Sequence, residues 1–261
     1  MKFATVGDNC IDHYIQTQNK YPGGNPVNVA VYIKRLGGQS SYTGLVGMDD
    51  FGSIIMDSLK KKGVDISHLK RVEGATAVTE VTIENGDRVF GEYKEGVLKG
   101  FKLTKDDIEF LASHDIVISG IWGMIEGDLD KIKQTNTPIA FDFSDQYNHE
   151  IVDKALPHVD YAFFAYDGDD LNYIKNYMIT AYSKGPQLVI CTLGEKGSIA
   201  YDGTDFISSD IVKCKVIDTM GAGDSYIAGF LYSYLREKDI KKAMQRGSEN
   251  SAVTLAYSGS W

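Results

Sequence analysis

The 261-residue sequence is poor in cysteine and proline. Its three cysteines, at positions 10, 191 and 214, stand far apart and form no CxxC pair. That number and spacing argue against a disulfide framework or a cysteine-based metal site, and they predict reduced thiols in a cytoplasmic protein. The five prolines are scattered, so no proline-rich linker divides the chain.

Long apolar runs and basic clusters are also lacking. The longest nearly apolar stretch, IVISGIWGMI at 116–125, is about half of the ~20 residues that a membrane span requires. The opening MKFATVGDNC offers too short an apolar run for a signal peptide, so export is not expected. Lys and Arg number 27 against 36 Asp and Glu, a formal charge of −9. Membranes and nucleic acids are therefore not expected as partners.

Helical and strand patterns alternate along most of the chain. Val27, Ala30 and Ile33 recur at helical spacing after a strand-like start, and a further strand and amphipathic helix follow. The alternation resumes at residue 104 and ends in two helices, predicted over 223–236 and 239–257. This order predicts one α/β domain over residues 1–261, with a mostly parallel sheet covered on both faces.

One segment departs from this alternation. Residues 74–95 alternate apolar and polar side chains around the turn sequence ENGD. Period-two alternation on both sides of such a turn is typical of a β-hairpin. The sequence therefore predicts a small β excursion from the main sheet.

The stretch VIDTMGAGDSYIAGF, residues 216–230, places two glycines and an aspartate where a strand gives way to a helix. The unpaired N–H groups and the dipole of a helix N-terminus attract anions, and Gly221 and Gly223 let an anion approach the backbone closely. Asp224 would repel a bound anion, but it makes sense as a base that takes a proton from an attacking hydroxyl during phosphoryl transfer. The alternative is that Asp224 only caps the helix.

Two common phosphate-binding machineries are missing from the sequence. No GxxxxGK[ST] P-loop occurs, because GEKGS at 194–198 is too short to supply it. The HRD and DFG signatures of protein kinases are also missing, although FDFSD occurs at 141–145. Phosphoryl transfer by this chain would need a different phosphate cradle.

Three stretches together resemble the PfkB, or ribokinase-like, family of sugar kinases: GGNPVNVAVYIKRLGG, VICTLGEKGSIAYDG and DTMGAGDSYIAGF. The resemblance covers essentially the whole chain. It implies a three-layer α/β/α sandwich with a small β-hairpin lid, whose strands lie near residues 12–20 and 74–95. Such a lid would cover the sugar and exclude water from the reaction. An amphipathic lid would suit a homodimer, and a monomer is equally compatible with the sequence.

The resemblance also assigns roles to individual residues. Asp224 would be the catalytic base, and Gly221, Ala222 and Gly223 would form the anion hole. The residues implied to bind the sugar are Asp8, Asp12, Gly23, Gly24, Asn25 and Asn28, with Arg88 of the hairpin as a further candidate. The residues implied to contact ATP are Thr192, Gly194, Gly197, Thr219 and Asn250.

Ordinary structural roles remain open for several of these residues. Asn28 could satisfy backbone groups in the first turns of its helix, and Asp8 could form a turn. Thr192 and the glycines after it could belong to a simple β-turn. Asn250 could lie on a solvated helix face, and Arg88 in a solvated turn.

The metal site departs from the family pattern. Many members carry NxxE after a strand, where it organises the water shell of Mg²⁺, whereas this chain has FFAYDGDDLNYI. Asp167 and Asp170 would then hold Mg²⁺ through water. A monovalent cation such as K⁺ is left open by the resemblance.

Within the family, TVGDNCID, HDIVISGIWG, IAFDFSD and NGDRVFGEYKEGV are most similar to the fructoselysine 6-kinases. This similarity implies transfer of the γ-phosphate of ATP to a primary hydroxyl of a ketose-like Amadori substrate. Family members that phosphorylate fructose, ribose, keto-deoxy sugar acids or nucleosides remain alternatives. A non-catalytic ligand-binding relative is a further alternative, although such a protein has no need of the aspartate in GAGD.

Overall fold

The computed structural model describes the backbone of residues 1–84 and 87–261 and the side chains of residues 1–82 and 91–261. Part of the predicted ENGD turn and the side chain of Arg88 lie outside these described residues. The strands are β1 (Lys2–Val6), β2 (Cys10–Tyr14), β3 (Lys20–Gly23), β4 (Gln39–Gly47), β5 (Leu69–Val72), β6 (Val78–Glu84), β7 (Asp87–Lys94), β8 (Ile116–Gly120), β9 (Ile139–Asp142), β10 (Tyr161–Ala165), β11 (Leu188–Thr192), β12 (Ser198–Tyr201) and β13 (Phe206–Ser209). The helices are α1 (Asn25–Arg35), α2 (Asp50–Lys61), α3 (Lys105–Ala112), α4 (Leu129–Lys133), α5 (Glu150–Ala155), α6 (Leu171–Tyr182), α7 (Ala222–Glu237) and α8 (Ile240–Leu255), with 3₁₀ turns at Gly96–Leu98, Leu156–His158 and Gly194–Lys196.

In the described part of the chain, nine strands form one sheet in the order β13-β12-β11-β10-β9-β8-β1-β4-β5. The neighbouring strands from β5 to β11 pair in parallel, whereas β12 and β13 at one edge pair antiparallel. The carboxyl ends of the parallel strands therefore open on one edge of the sheet, which is where open α/β sheets bind ligands.

Helices cover both faces of this sheet. On one face, α1, α7 and α8 pack around Tyr32, Phe230 and Met244. On the other face, α3 to α6 pack around Leu111 and Ile132, among other buried side chains. Because the central strands are buried on both faces, they read as nearly continuous apolar runs, as IVISG does in β8. The predicted α/β/α sandwich with a mostly parallel sheet is confirmed.

A second, four-stranded sheet has the order β3-β2-β6-β7. Strands β6 and β7 pair antiparallel, as the alternation over 74–95 predicts, with an irregularity in the pairing between Thr79 and Val81. Strand β2 joins this hairpin in parallel through β6 and pairs antiparallel with β3. The region predicted as a lid strand, residues 12–20, spans the end of β2, a turn and the first residue of β3.

Two expectations from composition concern thiols and membranes. Cys10, Cys191 and Cys214 are free cysteines, and Cys191 is buried. Among the described residues, no helix combines the length and the apolar character that a membrane crossing demands.

Helices α7 and α8 approach each other closely because glycines line their contact. A Cβ added at Gly229 of α7 would lie 2.6 Å from the carbonyl oxygen of Arg246 and 3.0 Å from Cα of Gly247. A Cβ added at Gly247 would lie 2.9 Å from the ring of Tyr226. These separations are too short for a methyl group, so the spacing of the two helices depends on both glycines.

We expect Gly229→Ala to destabilise the protein by about 1–3 kcal/mol, because the added methyl overpacks the helix contact and outweighs the better helix propensity of alanine. Urea unfolding measures this loss. Gly223→Ala in the same helix is the matched control, since its added Cβ would meet no heavy atom within 4 Å. Equal stability of the two variants would contradict the close approach of α7 and α8.

Candidate active site

Helix α7 begins without a side-chain cap. Its N-cap residue, Gly221, adopts the left-handed φ of 73°, and no side chain forms a cap hydrogen bond there. A Cβ at Gly221 would collide with the hydroxyl of Tyr32, so only glycine fits this turn. Among the described residues, the N–H groups of Gly223 and Asp224 have no hydrogen-bond acceptor. The start of α7 therefore presents unpaired donors and the positive end of the helix dipole.

The carboxylate of Asp224 lies at this helix start and is held by two asparagine side chains of α1. Asn25 Nδ2 donates to Asp224 Oδ1 over 2.7 Å, and Asn28 Nδ2 donates to Asp224 Oδ2 over 2.7 Å. Both carboxylate oxygens thus bind side chains from the other end of the sequence. The hypothesis that Asp224 only caps its own helix does not describe this arrangement. The side chain of Asn28 likewise binds side chains, Asp224 and Trp261, and not the backbone of its helix in the described part of the chain.

Asn25 also joins Asp224 to a second carboxylate, that of Asp142. Asn25 Nδ2 lies 2.9 Å from Asp142 Oδ2, while Asp142 Oδ1 accepts the N–H of Ser144 over 2.9 Å. Asp142 is the last residue of β9 and lies at the carboxyl edge of the sheet. We did not anticipate this residue from the sequence, although a carboxylate directly after the buried strand residues IAF is a usable signal.

Burial raises the pKa of three carboxylates near the helix start, and the charge of Asp224 raises the pKa of the other two further. Burial raises the pKa of Asp8 to about 7, with the nearby charge of Asp224 as the next cause. The same two causes raise the pKa of Asp142 to about 7. Burial also raises the pKa of Asp224, whereas the hydrogen bonds from Asn28 and Asn25 lower it. The asparagines therefore favour the ionised form of Asp224 in surroundings that oppose ionisation.

A cavity of about 190 Å³ opens at the start of α7. The predicted residues that line it are Thr192, Thr219, Gly221, Ala222, Gly223 and Asp224. Asp142 and Ser144 contribute polar groups on another side, and Phe163 and Ile227 contribute apolar walls. The structure thus brings the whole GAGD motif, from Gly221 to Asp224, and Thr192 at the end of β11 to one cavity.

Four of the predicted sugar-binding residues, Asp8, Asp12, Gly23 and Gly24, lie close together, and Gly24 directly precedes Asn25 in the chain. A Cβ at Gly24 would come within 3.1 Å of Asp8 Oδ2, and a Cβ at Gly23 within 3.0 Å of Asp12 Oδ2. These glycines therefore lie directly beside both carboxylates. Among the described residues, the buried oxygens Asp8 Oδ1 and Asn25 Oδ1 have no hydrogen-bond partner. Unsatisfied buried acceptors are costly, and hydroxyl groups of a bound sugar would satisfy them.

The two glycines after β11 differ in their surroundings. A Cβ at Gly197 would collide with the carbonyl oxygen of Ser209, so this glycine is required by the contact of its turn with the end of β13. A Cβ at Gly194 would meet nothing within 4 Å, although its φ of 58° is left-handed. Gly194 is therefore the glycine of this turn that is open to a ligand, and its contact with ATP stays a prediction.

Asn250 lies in the packing of three helices and is buried. Its Nδ2 donates to the carbonyl oxygen of Ser225, and its Oδ1 accepts from the guanidinium of Arg35 over 2.8 Å. Asn250 does not line the 190 Å³ cavity. Its predicted contact with the nucleotide stays a prediction, while the observed contacts join α8 to α7 and α1.

The predicted metal residues follow the carboxyl end of β10, close to Ala165 of the cavity wall. Asp167 and Asp170 are both exposed. Asp170 caps α6 by accepting the N–H groups of Asn172 and Tyr173. Among the described residues, the one cluster of three side chains that could bind a metal is His68, Asp106 and Asp107, where Asp107 already forms an ion pair with Lys70 over 2.6 Å.

A further contact reaches Asn28 from the end of the sequence. The indole Nε1 of Trp261 donates to Asn28 Oδ1 over 2.8 Å. No motif marks Trp261 in the sequence, and its partner is 233 residues away. The network around Asp224 thus includes residues from the first, middle and last parts of the chain.

We compare the melting temperature of Asp142→Asn with that of the unsubstituted protein at each pH. We expect the difference, variant minus unsubstituted protein, to increase by roughly 3–8 °C between pH 4 and pH 8. The unfolded chain ionises Asp142 near its ordinary pKa of 3.8, whereas the folded protein does so near 7. The unsubstituted protein therefore loses the contribution of Asp142 to stability as the pH rises through this window, and the variant lacks that pH-dependent contribution. Thermal unfolding across pH measures the difference.

The matched control is Asp153→Asn, an exposed carboxylate of α5 that forms an ion pair with Lys184. Its melting temperature relative to the unsubstituted protein is expected to change little over the same range. A difference for Asp142→Asn that stays constant or shrinks with rising pH would contradict the assignment of a raised pKa.

Comparisons with known proteins show the family of this chain. The sequence profile described as "pfkB family carbohydrate kinase" matches residues 4–260. The fructoselysine 6-kinase of Shigella flexneri is 42% identical over 258 residues, which cover 99% of this chain and 98% of that protein. The fructosamine kinase of Bacillus subtilis is 34% identical, covering 100% of this chain and 93% of that protein.

A solved structure shares the fold. The ribokinase of Arabidopsis thaliana, solved with ribose and ATP, superposes with a TM-score of 0.88 at 20% identity, covering 99% of this chain and 93% of that chain. Since the profile match spans nearly every residue, the chain belongs to the pfkB family and is an ATP-dependent carbohydrate kinase.

Proposed function

We propose that this kinase transfers the γ-phosphate of ATP to the C6 hydroxyl of fructoselysine. The observation that carries the proposal is the carboxylate of Asp224, which lies among unpaired N–H groups at the start of α7 and is held there by Asn25 and Asn28. The names of the relatives at 42% and 34% identity support an Amadori compound as the acceptor.

In this proposal, Asp224 takes the proton of the attacking hydroxyl. The raised pKa of Asp224 makes its carboxylate a stronger base than an exposed aspartate, and the two asparagine donors favour its ionised form. A base at this position need not move, because both of its oxygens are held by α1. The oxygens keep further lone pairs for the substrate hydroxyl.

The start of α7 would receive the phosphate chain of ATP. Gly223 and Asp224 line the cavity, and their N–H groups have no acceptor among the described residues, while the helix dipole adds favourable potential. A Cβ at Gly223 would have open space around it, so its glycine is not required by packing and is explained by close approach of a ligand. Positioning and electrostatic stabilisation would then supply most of the rate enhancement.

The sugar would lie against Gly23 and Gly24, with its hydroxyls donating to Asp8, Asp12 and Asn25. Fructoselysine also carries a secondary ammonium group beside the sugar. Among the described residues, no Lys or Arg forms an ion pair with Asp8, Asp142 or Asp224. A cationic acceptor would therefore reduce the repulsion among these carboxylates, whereas a neutral sugar would not.

Mg²⁺ fits the oxygen donors at this site. The carboxylate of Asp142 lines the cavity, and its pKa is raised first by burial and then by the nearby charge of Asp224, which a divalent cation would offset. Asp142 would hold the ion, with Asp167 and Asp170 contributing through water, as predicted. When bound, Mg²⁺ would neutralise charge on the transferring phosphate. Activation by K⁺, a homodimeric state and a cytoplasmic location stay predictions.

The acceptor is tested with a panel of fructoselysine, fructose, ribose, a keto-deoxy sugar acid and a nucleoside, each assayed for ADP release with ATP and Mg²⁺. We expect kcat/KM for fructoselysine to exceed that for fructose by at least about 100-fold, because only the former pairs its ammonium group with the carboxylates. Product analysis should place the phosphate on C6. A higher kcat/KM for any other acceptor would reassign the substrate within the family.

The role of Asp224 is tested with Asp224→Asn. We expect kcat to fall by a factor of about 10²–10⁴, the usual effect of losing a general base, with little change in KM for ATP. Asp153→Asn is the control for a neutralised aspartate outside the cavity. Near-normal turnover by folded Asp224→Asn would remove Asp224 from the proposed role.

A further inference from the structure

The side-chain amide of Asn28 donates a hydrogen bond to one partner and accepts a hydrogen bond from another. Its Nδ2 donates to Asp224 Oδ2 over 2.7 Å, and its Oδ1 accepts the indole N–H of Trp261 over 2.8 Å. Asn28 is buried, with 6% of its surface exposed. The amide therefore links an aromatic donor to the carboxylate proposed as the base.

An asparagine amide can present either of its ends to a neighbour, since rotation by a half turn exchanges its oxygen and nitrogen with little change in shape. The indole N–H of Trp261 can only donate a hydrogen bond. It is therefore compatible with just one orientation of the amide, the one in which Asn28 Oδ1 faces the indole N–H. In that orientation the NH₂ group must face Asp224. The rotated amide would bring an oxygen against the carboxylate and a donor against the indole N–H, and both contacts would be repulsive.

The segment that carries Trp261 is bound to the loop that precedes α7. Gly259 N–H donates to Asp218 Oδ2 over 2.7 Å, and Asp218 Oδ1 accepts the N–H of Met220 over 2.9 Å. The carbonyl oxygen of Ser260 accepts from the hydroxyls of Tyr32 and Tyr257. Residues 259 and 260 are thereby held beside the loop that leads into Gly221 and Asp224.

The indole ring itself packs between two parts of the core. It contacts the cluster around Val27 and Ile55 and the cluster around Tyr32 and Phe230. Lys62 lies over the ring, 5.3 Å from its centroid. The N–H group of Trp261 is thus held in direction as well as in position.

We propose that Trp261 is a positioning residue of the kinase, whose indole N–H fixes the Asn28 amide so that its NH₂ group faces Asp224. This inference rests on the proposed role of Asp224 as the base. Trp261 touches neither substrate nor phosphate and acts through Asn28. Loss of the indole N–H leaves the Asn28 amide free to turn its oxygen toward Asp224, which disfavours the ionised base.

The test is Trp261→Phe, which keeps an aromatic ring and removes the donor. We expect kcat to fall about 3- to 10-fold and the acidic limb of its pH profile to move about 0.5–1 unit toward higher pH, since a charge-assisted hydrogen bond to Asp224 is weakened. The KM for ATP should stay within about twofold, because the N–H groups of α7 are unchanged. A merely structural role for Trp261 would leave the pH profile in place.

Two further variants show whether the effect passes through Asn28. In an Asn28→Ala background, Trp261→Phe should cause no further shift of the acidic limb, because the amide is already gone. Tyr257→Phe is the matched control, since it removes a hydrogen bond of the same segment without touching Asn28. Its pH profile should match that of the unsubstituted protein.

Should Trp261→Phe fold poorly, the benzothiophene analogue of tryptophan replaces it. This analogue has nearly the size of tryptophan but no N–H donor, and a Trp122→Phe background confines the replacement to position 261. The same shift of the acidic limb relative to that background supports the inference.

The inference is overturned if folded Trp261→Phe, or the analogue, keeps the kcat and pH profile of its reference. It is also overturned if Tyr257→Phe shifts the limb equally, or if Trp261→Phe shifts it as much without Asn28. These results leave the proposed function intact when Asp224→Asn shows the large loss of kcat expected of it. Activity of Asp224→Asn would instead refute the proposed function, and the positioning role of Trp261 with it.

Discussion

Repulsion among carboxylates at the start of α7 is the constraint on which this site depends. Asp8, Asp142 and Asp224 are each disfavoured as anions by burial, and the charge of Asp224 raises the pKa of the other two. Such an arrangement costs folding stability, and nothing in the packing of the sheet requires it. It is explained by chemistry in which one carboxylate takes a proton while the others bind hydroxyls or a cation.

The fold makes this arrangement possible by bringing distant parts of the sequence together. Asn25 and Asp224 are 199 residues apart, yet their side chains bind each other because the fold brings the starts of α1 and α7 together. Asp142 joins them from the end of β9, a strand of the central sheet. The close contact of α7 with α8, set by Gly229 and Gly247, keeps the first turn of α7 in line with this edge.

Much of this organisation could be predicted from the sequence because it depends on local patterns. The alternation of strands and helices predicts the sandwich, period-two alternation predicts the β6–β7 hairpin, and glycines beside Asp224 predict an anion site. Asp142 and Trp261 were given no role from the sequence, although Asp142 lies in the stretch IAFDFSD, because each contacts an asparagine more than 100 residues away. Asn250 illustrates the converse difficulty, because a polar residue on a helix can bind either a ligand or a neighbouring helix, and here its amide binds Ser225 and Arg35.

The most direct test of this account is a crystal structure with a non-hydrolysable ATP analogue and fructoselysine bound together. The account predicts that the C6 hydroxyl lies about 2.6–3.2 Å from a carboxylate oxygen of Asp224, in line with the γ-phosphorus. It also predicts that oxygens of the γ-phosphate accept hydrogen bonds from the N–H groups of Gly223 and Asp224. A hydroxyl that binds elsewhere, with Asp224 contacting only Asn25 and Asn28, would contradict it.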